Sequence, residues 1–315
     1  MIDISPLHNR DLVITGVAGY VGSHFLSFLY EKGLDPISLG RSNLDASRLQ
    51  SLEHLASHAA IFRIMRHDDT VESLAEAMSL LKQPIVINLA GLFISDHTSG
   101  DVPALTESNL VWPVRLFDAM RLAQVRSIVN VGTIWEHDKE SAYAPVNLYA
   151  SMKSATERIL EYYVQAEGYN AVTLKLFDTY GGSDPRRKLL PLLREIAGTQ
   201  QELPMSSGAQ YINLCHIDDI CDALLTCAVL VAPDNQHHIR AFTRTDERLT
   251  LRELVDLIVR VSGRELNIRW GERPEHPRQQ YDFWKEAPRP SGWQPKIPLE
   301  KGLKDYFQIS ERHSV

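Results

Sequence analysis

Three glycines near the start of the chain constrain its fold more than any other feature. They stand in a G-x-x-G-x-x-G pattern, directly after the apolar run Leu12–Thr15 and before a helical pattern. Glycines in such a strand–turn–helix unit allow a tight turn, a close approach to a pyrophosphate and close packing of helix on strand. The helix N-terminus adds free N–H groups and partial positive charge. We therefore predict a dinucleotide-binding turn formed by Gly16, Gly19, Tyr20, Val21 and Gly22.

The rest of the first half alternates short apolar runs with helical patterns. Strands are predicted at 36–39, 60–65, 85–90, 127–131 and 171–177, and helices at 22–32, 71–81, 106–122 and 149–167. Alternating strands and helices form parallel sheets, and nearly all-apolar strands are covered on both faces. We therefore expect an α/β fold, a doubly wound Rossmann sheet with a smaller C-terminal substrate-binding lobe.

The second half is less regular. It predicts helices at 189–196, 217–230 and 251–261, a strand at 210–216, and irregular structure at 273–298, which contains six prolines. The economical division assigns 1–178, with about 209–236, to the Rossmann domain. Residues of about 179–208 and 237–315 then form the lobe.

Composition limits the partners. The chain has 315 residues, of which 44% are apolar, and a formal net charge of -7. An acidic balance argues against nucleic acid or an anionic membrane as partner. The sequence shows neither a membrane-length apolar run nor a signal-like start, so a cytoplasmic protein is expected. Cys215, Cys221 and Cys227 lack the spacing of a zinc site or a disulfide framework, so we expect buried thiols and no metal.

The second strand bears on cofactor choice. NAD sites usually place a carboxylate at its end, whereas this chain has Arg41 and Ser42. These residues favour the 2′-phosphate of NADP(H), with NAD as the less favoured alternative. Other predicted contacts with the cofactor are Asp68 and Asp69 after the third strand, and Leu89, Ala90 and Gly91 at the end of the fourth. The two aspartates are equally well explained as a helix cap.

A second motif carries acid–base chemistry. Tyr149 and Lys153 are four residues apart on a predicted helix, so both side chains share one face. A nearby ammonium lowers the pKa of a phenol, and the tyrosine then exchanges a proton with a substrate oxygen. Thr133, just past the fifth predicted strand, is placed to polarise that oxygen. His137 is interpreted as a structural residue.

Together these motifs resemble the extended short-chain dehydrogenase/reductases over nearly the whole chain. The resemblance rests on the glycine turn, Asn88-Leu-Ala-Gly91, Asn109, Thr133, Tyr149-x-x-x-Lys153, Cys215-His-Ile-Asp-Asp219 and Gly292-Trp-Gln-Pro295. It implies a catalytic set of Thr133, Tyr149 and Lys153, a role for Asn109 at the cofactor, and a sugar linked to a nucleotide as substrate. The family also implies a homodimer formed by the helices at 106–122 and 149–167.

The resemblance narrows the reaction through the two residues after Thr133. Sugar 4,6-dehydratases have Asp-Glu there, and epimerising reductases have a cysteine two residues on; this chain has Ile134 and Trp135. Arg41 argues against a 4-epimerase that retains NAD. The expected activity is therefore NADPH-dependent reduction of a 4-keto group on a CDP- or dTDP-linked deoxy sugar, as in bacterial surface-polysaccharide reductases. A 4-epimerase and a non-catalytic NADP sensor or scaffold are the alternatives.

Two departures concern the substrate. The family's Arg-Asp after the glutamine of its late strand is replaced here, where Gln210 precedes Tyr211, and its asparagine after the sixth strand is Asp178. Other groups must then hold a diphosphate. The expected substrate-binding residues are Asp178, Arg186, Arg187, Lys188, Gln210 and Arg278.

Overall fold

A seven-stranded parallel sheet forms the centre of the protein. The computed structural model describes residues 2–41, 63–140, 142–186, 188–233 and 237–308. The strands lie in the order β3-β2-β1-β4-β5-β6-β11, and each neighbouring pair is parallel. Their bounds are Leu12–Thr15 (β1), Ile37–Arg41 (β2), Arg63–His67 (β3), Ile85–Asn88 (β4), Ser127–Thr133 (β5), Asn170–Leu176 (β6) and His237–Phe242 (β11).

Helices cover both faces of this sheet. On one face, α1 (Tyr20–Glu31) packs with α7 (Ile217–Leu230) over the inward side chains of β1, β4, β5 and β6. The opposite face carries α2 (Val71–Ser79), α4 (Trp112–Leu122) and α5 (Leu148–Glu167). Two covered faces explain why the residues of β1, β4 and β5 are buried throughout. The predicted doubly wound α/β fold is confirmed.

The strand order reverses between β1 and β4, and a ligand crevice forms at the carboxyl edge of such a switch point. A buried polar chain fixes this edge. The hydroxyl of Thr15 donates to Asn88 Oδ1 at 2.8 Å, and Asn88 Nδ2 donates to Asn130 Oδ1 at 3.0 Å. The Thr15 hydroxyl also accepts the N–H of Ala90 at 3.1 Å. The ends of β1, β4 and β5 are therefore held in register where a cofactor would lie.

A separate apolar core is formed by elements outside the seven-stranded sheet. It packs α6 (Leu189–Ile196), α8 (Leu251–Ser262) and α9 (Leu299–Gln308) with Tyr180 and Leu214. Short strand pairs border it: β7 (Asp178–Tyr180) with β10 (Leu214–His216), β8 (Glu202–Met205) with β13 (Asn267–Trp270), and β9 (Tyr211–Ile212) with β12 (Leu249–Thr250). We call this core, with the short strand pairs, the lobe.

Three sequence expectations differ from the structure. The strand His237–Phe242, which we assigned to the lobe, pairs with β6 as the last strand of the large sheet. The strand expected at 210–216 is split at Asn213, whose side-chain amide bonds with Thr245 and the Glu247 carbonyl. The helix expected at 106–122 begins as α3 (Val102–Thr106) and passes through a π-helical turn, Glu107–Val111.

Candidate active site

The glycine turn lies between β1 and α1, at the switch point. Gly16 has a φ of +71°, and a Cβ there would lie 2.7 Å from the backbone nitrogen of Ala90. At Gly22 a Cβ would lie 2.2 Å from the carbonyl oxygen of Gly16. At distances this short, a Cβ would overlap the backbone atoms. Gly16 and Gly22 are therefore required by the protein's own packing.

Gly19 is different. Its φ is ordinary, at -82°, and a Cβ there would meet only the Gly16 carbonyl oxygen, at 3.2 Å. No side chain caps α1, which begins at the next residue. The first N–H groups of the helix, at the carboxyl edge of the sheet, therefore receive no hydrogen bond from an N-cap side chain. This arrangement fits the pyrophosphate of a dinucleotide, because an anion satisfies both the N–H groups and the helix dipole.

Tyr20 and Val21 contribute to this turn through the backbone at the start of α1. The side chain of Tyr20 is buried, and its hydroxyl donates to the carbonyl of Gly181 at 2.8 Å. Its ring also carries the guanidinium of Arg186, 3.9 Å from the ring centre. Tyr20 therefore connects the glycine turn to the segment that enters the lobe.

The residues expected to select the cofactor are only partly described. Arg41 ends β2, but its side chain and all of Ser42 lie outside the described residues. Asp68 is exposed, and its carboxylate accepts hydrogen bonds from the N–H and hydroxyl of Thr70, the cap of α2. Asp69 is half-buried with a φ of +70°. The N-cap of α2 is therefore Thr70 and neither aspartate, and Asp68 acts on the cap through its hydrogen bonds to Thr70.

The Leu89–Ala90–Gly91 segment passes directly beside the lysine. A Cβ on Gly91 would lie 3.0 Å from both Lys153 Nζ and Asn109 Oδ1. The amide of Asn109 is fully buried and bonds with the backbone N–H and carbonyl of Leu92, at 3.2 and 2.8 Å. Asn109 lies in the π-helical turn, and its backbone carbonyl accepts the hydroxyl of Thr156. Its contacts make Asn109 a support for the segment that would face the cofactor.

Tyr149 and Lys153 lie on the first turns of α5. Asn147 caps this helix by accepting the N–H of Ala150 at 2.9 Å, which fixes where the helix begins. Lys153 is 5% exposed, and its Nζ lies 5.9 Å from the centre of the Tyr149 ring. The two side chains therefore share one face, as the spacing predicted.

The pKa of Tyr149 is shifted in the direction opposite to our expectation. Burial, followed by the Glu136 carboxylate, raises the pKa of the Tyr149 hydroxyl, and Arg186 opposes this. Burial lowers the pKa of Lys153 to about 8, against an opposing effect of Glu136. We expected the lysine to lower the pKa of the tyrosine, but desolvation dominates in the protein alone. Tyr149 is consequently protonated at neutral pH, which suits a proton donor.

Thr133 is the last residue of β5 and is buried. It caps a short 3-10 turn, and its hydroxyl oxygen accepts the N–H of Trp135 at 3.3 Å. The ring of Phe93 packs between Tyr149 and Trp135, with ring centres 5.2 and 5.4 Å apart. The sequence did not mark Phe93, which belongs to no periodic pattern.

Glu136 was also missed. It is completely buried and accepts the N–H of Thr133 at 2.8 Å and the ammonium of Lys175 at 2.7 Å. His137 Nε2 lies 2.7 Å from Lys175 Nζ, and its ring contacts Phe242. The structural interpretation of His137 agrees with this packing.

The expected substrate residues fall into two groups. Lys188 Nζ lies 4.4 Å from the centre of the Phe93 ring, next to Tyr149. The charges of Lys188 and Arg186 both lower the pKa of the half-buried Asp178. Arg186 forms a two-pronged ion pair with Asp184, with both N···O distances 2.7 Å. Burial raises the pKa of Asp178, and burial lowers that of Lys188.

The other three contribute less to this geometry. Arg187 lies outside the described residues. Arg278 is exposed, and its Nε donates to the carbonyl of Pro145 at 2.9 Å. Gln210 has a buried side-chain oxygen without a hydrogen-bond partner among the described residues, so this oxygen is available to accept a hydrogen bond. The described structure therefore brings Lys188 and Asp178 toward Tyr149, whereas Arg278 is engaged with the backbone of Pro145.

The three cysteines are buried and free, as expected. Within the described part of the chain, no group of histidine, cysteine or carboxylate side chains is arranged to hold a metal ion. Nor does any described helix combine the length and hydropathy needed to cross a membrane.

The chain is similar to several known proteins. The chain is 27% identical to CDP-abequose synthase of Yersinia pseudotuberculosis over 82% of its own length and 87% of the relative's. It is 24% identical to dTDP-D-glucose 4,6-dehydratase of Mus musculus, over 94% and 87%. Among solved structures, UDP-glucose 4-epimerase of Thermus thermophilus in complex with NAD superposes with a TM-score of 0.76 at 19% identity, covering 95% of this chain and 99% of that one.

Residues 12–241 match the NAD dependent epimerase/dehydratase family. The matched range begins with β1 and includes the glycine turn, Thr133, Tyr149 and Lys153. It ends within β11, the last strand of the sheet. On this match, and on the fold and site that accompany it, the chain belongs to the NAD dependent epimerase/dehydratase family.

Proposed function

We propose that this protein reduces the 4-keto group of a CDP- or dTDP-linked deoxy sugar with NADPH. The observation that carries the proposal is the half-buried Tyr149 beside the ring of Phe93, which in turn packs on Trp135. Ile134 and Trp135 supply no acid or base where an eliminating enzyme would need one. A single proton donor is what ketone reduction requires.

Each catalytic side chain then has a defined task. Tyr149 gives its hydroxyl proton to the carbonyl oxygen, and Thr133 polarises that oxygen through its hydroxyl. Lys153 holds the nicotinamide ribose, and its charge stabilises the phenolate that Tyr149 becomes. NADPH, when bound on the glycine turn, supplies the hydride. The relationship to CDP-abequose synthase supports a deoxy sugar as substrate.

The positive groups near Tyr149 support an anionic substrate. Lys188 lies over Phe93, and the Arg186 charge acts on Tyr149 itself. We propose that Lys188 and Arg186 face the diphosphate, with Arg187, Gln210 and Arg278 as further contacts. A role in surface-polysaccharide (O-antigen) biosynthesis in the cytoplasm fits such a product.

The proposal is tested by following NADPH absorbance at 340 nm with a CDP- or dTDP-4-keto-6-deoxy sugar. We expect substrate-dependent oxidation of NADPH, and slower oxidation of NADH. Tyr149→Phe keeps the ring but removes the donor, so turnover should fall about 10²- to 10⁴-fold while NADPH still binds. Full turnover by Tyr149→Phe would refute the assigned role.

A 4-epimerase is the second candidate, because solved relatives such as the Thermus thermophilus epimerase hold NAD. It predicts one equivalent of NAD(H) in the purified protein and interconversion of 4-epimeric sugars without net oxidation. A sensor or scaffold, by contrast, would bind NADP(H) and turn over neither substrate.

We also propose a homodimer formed by α4 and α5. Both helices present apolar side chains to solvent: Leu122 is 47% and Tyr162 is 60% exposed. Single exposed residues of this kind are common, so the oligomer must be measured. Light scattering after size exclusion should give twice the mass of 35.7 kDa, and Tyr162→Glu should shift the protein toward the monomer.

A further inference from the structure

The buried carboxylate of Glu136 collects hydrogen bonds from three separate elements. Its Oε1 accepts the backbone N–H of Thr133 at 2.8 Å, at the end of β5. Its Oε2 accepts the hydroxyl of Ser154 from α5 and the ammonium of Lys175 from β6, each at 2.7 Å. Glu136 has no solvent exposure. It therefore joins the strand that carries Thr133 to the helix that carries Tyr149 and Lys153.

Only a carboxylate satisfies this arrangement. Two of the three partners, the Thr133 N–H and the Lys175 ammonium, carry no acceptor atom, so they can only donate a hydrogen bond. A glutamine has one acceptor oxygen, so its NH₂ group would face either the Thr133 N–H or the Lys175 ammonium. The donor–donor contact would force these buried groups apart, because a buried donor that loses its acceptor is costly.

The backbone leaves space for this carboxylate. A Cβ on Gly132 would lie 2.6 Å from Glu136 Oε1 and 3.1 Å from Lys175 Cγ. Gly132 precedes Thr133, so the absence of a side chain lets Glu136 reach back to the Thr133 N–H. The same carboxylate thereby completes a capping box with the Thr133 side chain.

We propose that Glu136 is a positioning residue for hydride transfer, which locks Thr133 and α5 in the relative placement that the reaction needs. The inference rests on the proposed function, because it assigns Thr133, Tyr149 and Lys153 to one reaction. It adds a residue that neither the motifs nor the resemblance marked. Glu136 acts through Thr133 and Ser154, and its carboxylate is occupied by their hydrogen bonds and by Lys175.

Electrostatics agrees with the geometry. The negative charge of Glu136 raises the pKa of both Tyr149 and Lys153, while Arg186 lowers that of Tyr149. Glu157, which also binds Lys175 at 2.7 Å, contributes to neither of these shifts. Glu157 therefore provides a matched control: it shares the Lys175 partner, but its carboxylate pairs with Arg240 instead of Thr133 and Ser154.

The test compares Glu136→Gln with Glu157→Gln in the full-length protein. A displacement of about 1 Å at the reacting groups costs up to roughly 100-fold in rate, so kcat of Glu136→Gln should fall about 10- to 100-fold. KM for NADPH should stay close to wild type, since the glycine turn is untouched. Glu157→Gln should retain kcat. Equal kcat values in Glu136→Gln and Glu157→Gln would overturn the proposal.

A second readout needs no turnover. The ¹³Cε resonance of Lys153, assigned by its absence in Lys153→Arg, reports the protonation of the amine during a pH titration. Loss of the Glu136 charge should move the Lys153 midpoint to lower pH, whereas Glu157→Gln should leave it in place. A midpoint that does not move in Glu136→Gln also counts against the proposal. If the wild type reduces no keto sugar, the proposed function fails, while this titration still decides the role of Glu136.

Glu136→Gln, which alters a buried network, carries a risk of unfolding. Ser154→Ala avoids that risk because it removes one donor from a half-buried position on α5. Losing one hydrogen bond worth about 0.5–1.5 kcal/mol corresponds to a roughly 2- to 12-fold fall in kcat. An unchanged kcat in Ser154→Ala, with Glu136→Gln unfolded, would overturn the proposal.

Discussion

Gly19 and Gly22 belong to the same motif, yet alanine should have different effects at the two positions. Gly22→Ala should destabilise the fold, whereas Gly19→Ala should weaken NADPH binding. At Gly22 the added Cβ lies 2.2 Å from the Gly16 carbonyl oxygen and 2.8 Å from the Val17 Cα. Neither contact is to a flexible side chain, so α1 must shift away from the turn. At Gly19 the nearest atom is 3.2 Å away and φ is ordinary. There the methyl group makes one tight contact with the protein, to the Gly16 carbonyl oxygen, and its main effect should be on the bound ligand.

The sign of the Gly22→Ala effect tests this reasoning. Glycine to alanine inside an unhindered helix stabilises by roughly 0.5–1 kcal/mol. Overpacking costs about 1–3 kcal/mol, and a clash between backbone atoms belongs at the upper end of that range. Gly22→Ala should therefore be destabilised by about 2–2.5 kcal/mol, which lowers Tm by roughly 4–10 °C at about 2–4 °C per kcal/mol.

Gly19→Ala should leave the free energy of unfolding within about 0.5 kcal/mol of wild type. Its methyl group displaces a phosphate from the N–H groups of α1. Hydrogen bonds to charged groups contribute about 1.5–3 kcal/mol each, so the loss of one raises Kd for NADPH roughly 10- to 150-fold.

Thermal denaturation followed by circular dichroism measures the first effect, and titration of NADPH fluorescence measures the second. A Tm for Gly22→Ala above that of wild type would refute the packing argument. Unchanged NADPH affinity in Gly19→Ala would refute the placement of the pyrophosphate.

Three further predictions concern stability and reactivity. Lys153→Met should stabilise the protein at pH 7 by on the order of 3 kcal/mol, because burial lowers the Lys153 pKa from 10.5 to about 8. Because the pKa of Lys153 is lower in the folded protein, the lysine destabilises the fold fully below about pH 8, and this effect fades as the pH rises to about 10.5. The extra stability of Lys153→Met in urea denaturation should therefore shrink between these pH values. Extra stability that persists at pH 10.5 would contradict the argument. Asn147→Ala should cost about 1 kcal/mol by removing the cap of α5, and an unchanged Tm would contradict that role. Burial raises the pKa of Cys215, Cys221 and Cys227, so a thiol reagent at pH 8 should label them only after unfolding; labelling of the folded protein would contradict their burial.

The sequence predicted those parts of the fold that depend on local pattern. The glycine turn, the nearly all-apolar strands and the helix that carries Tyr149 are each encoded within a short run of neighbouring residues, and the structure has them. His237–Phe242 was assigned to the wrong unit because its partner, β6, lies 67 residues earlier in the chain. Pairing between distant segments leaves no mark in either segment alone.

The site was predicted to a similar extent. Thr133, Tyr149 and Lys153 were predicted through spacing and resemblance, and the structure places the last two on one face of the helix. Glu136 was not found, because a glutamate in a loop usually faces solvent, and its burial depends on Lys175 and Ser154 arriving from other elements. The predicted direction of the Tyr149 pKa shift was wrong for the same reason. Charge placement can be inferred from the sequence motif, whereas desolvation depends on the complete fold.

The path of the chain after β6 limits how the protein can be divided. The chain enters the lobe at β7, returns to the sheet with α7 and β11, and then re-enters the lobe with α8. A fragment that stops before residue 237 would leave β6 as an unpaired edge exposed to solvent, a surface prone to aggregation. A fragment that contains the lobe alone would have to omit residues from the middle of the chain. We therefore expect both units to complete their folding together, late in synthesis. The lobe core includes Leu299, Leu303 and Phe307, which are among the last residues to be synthesised.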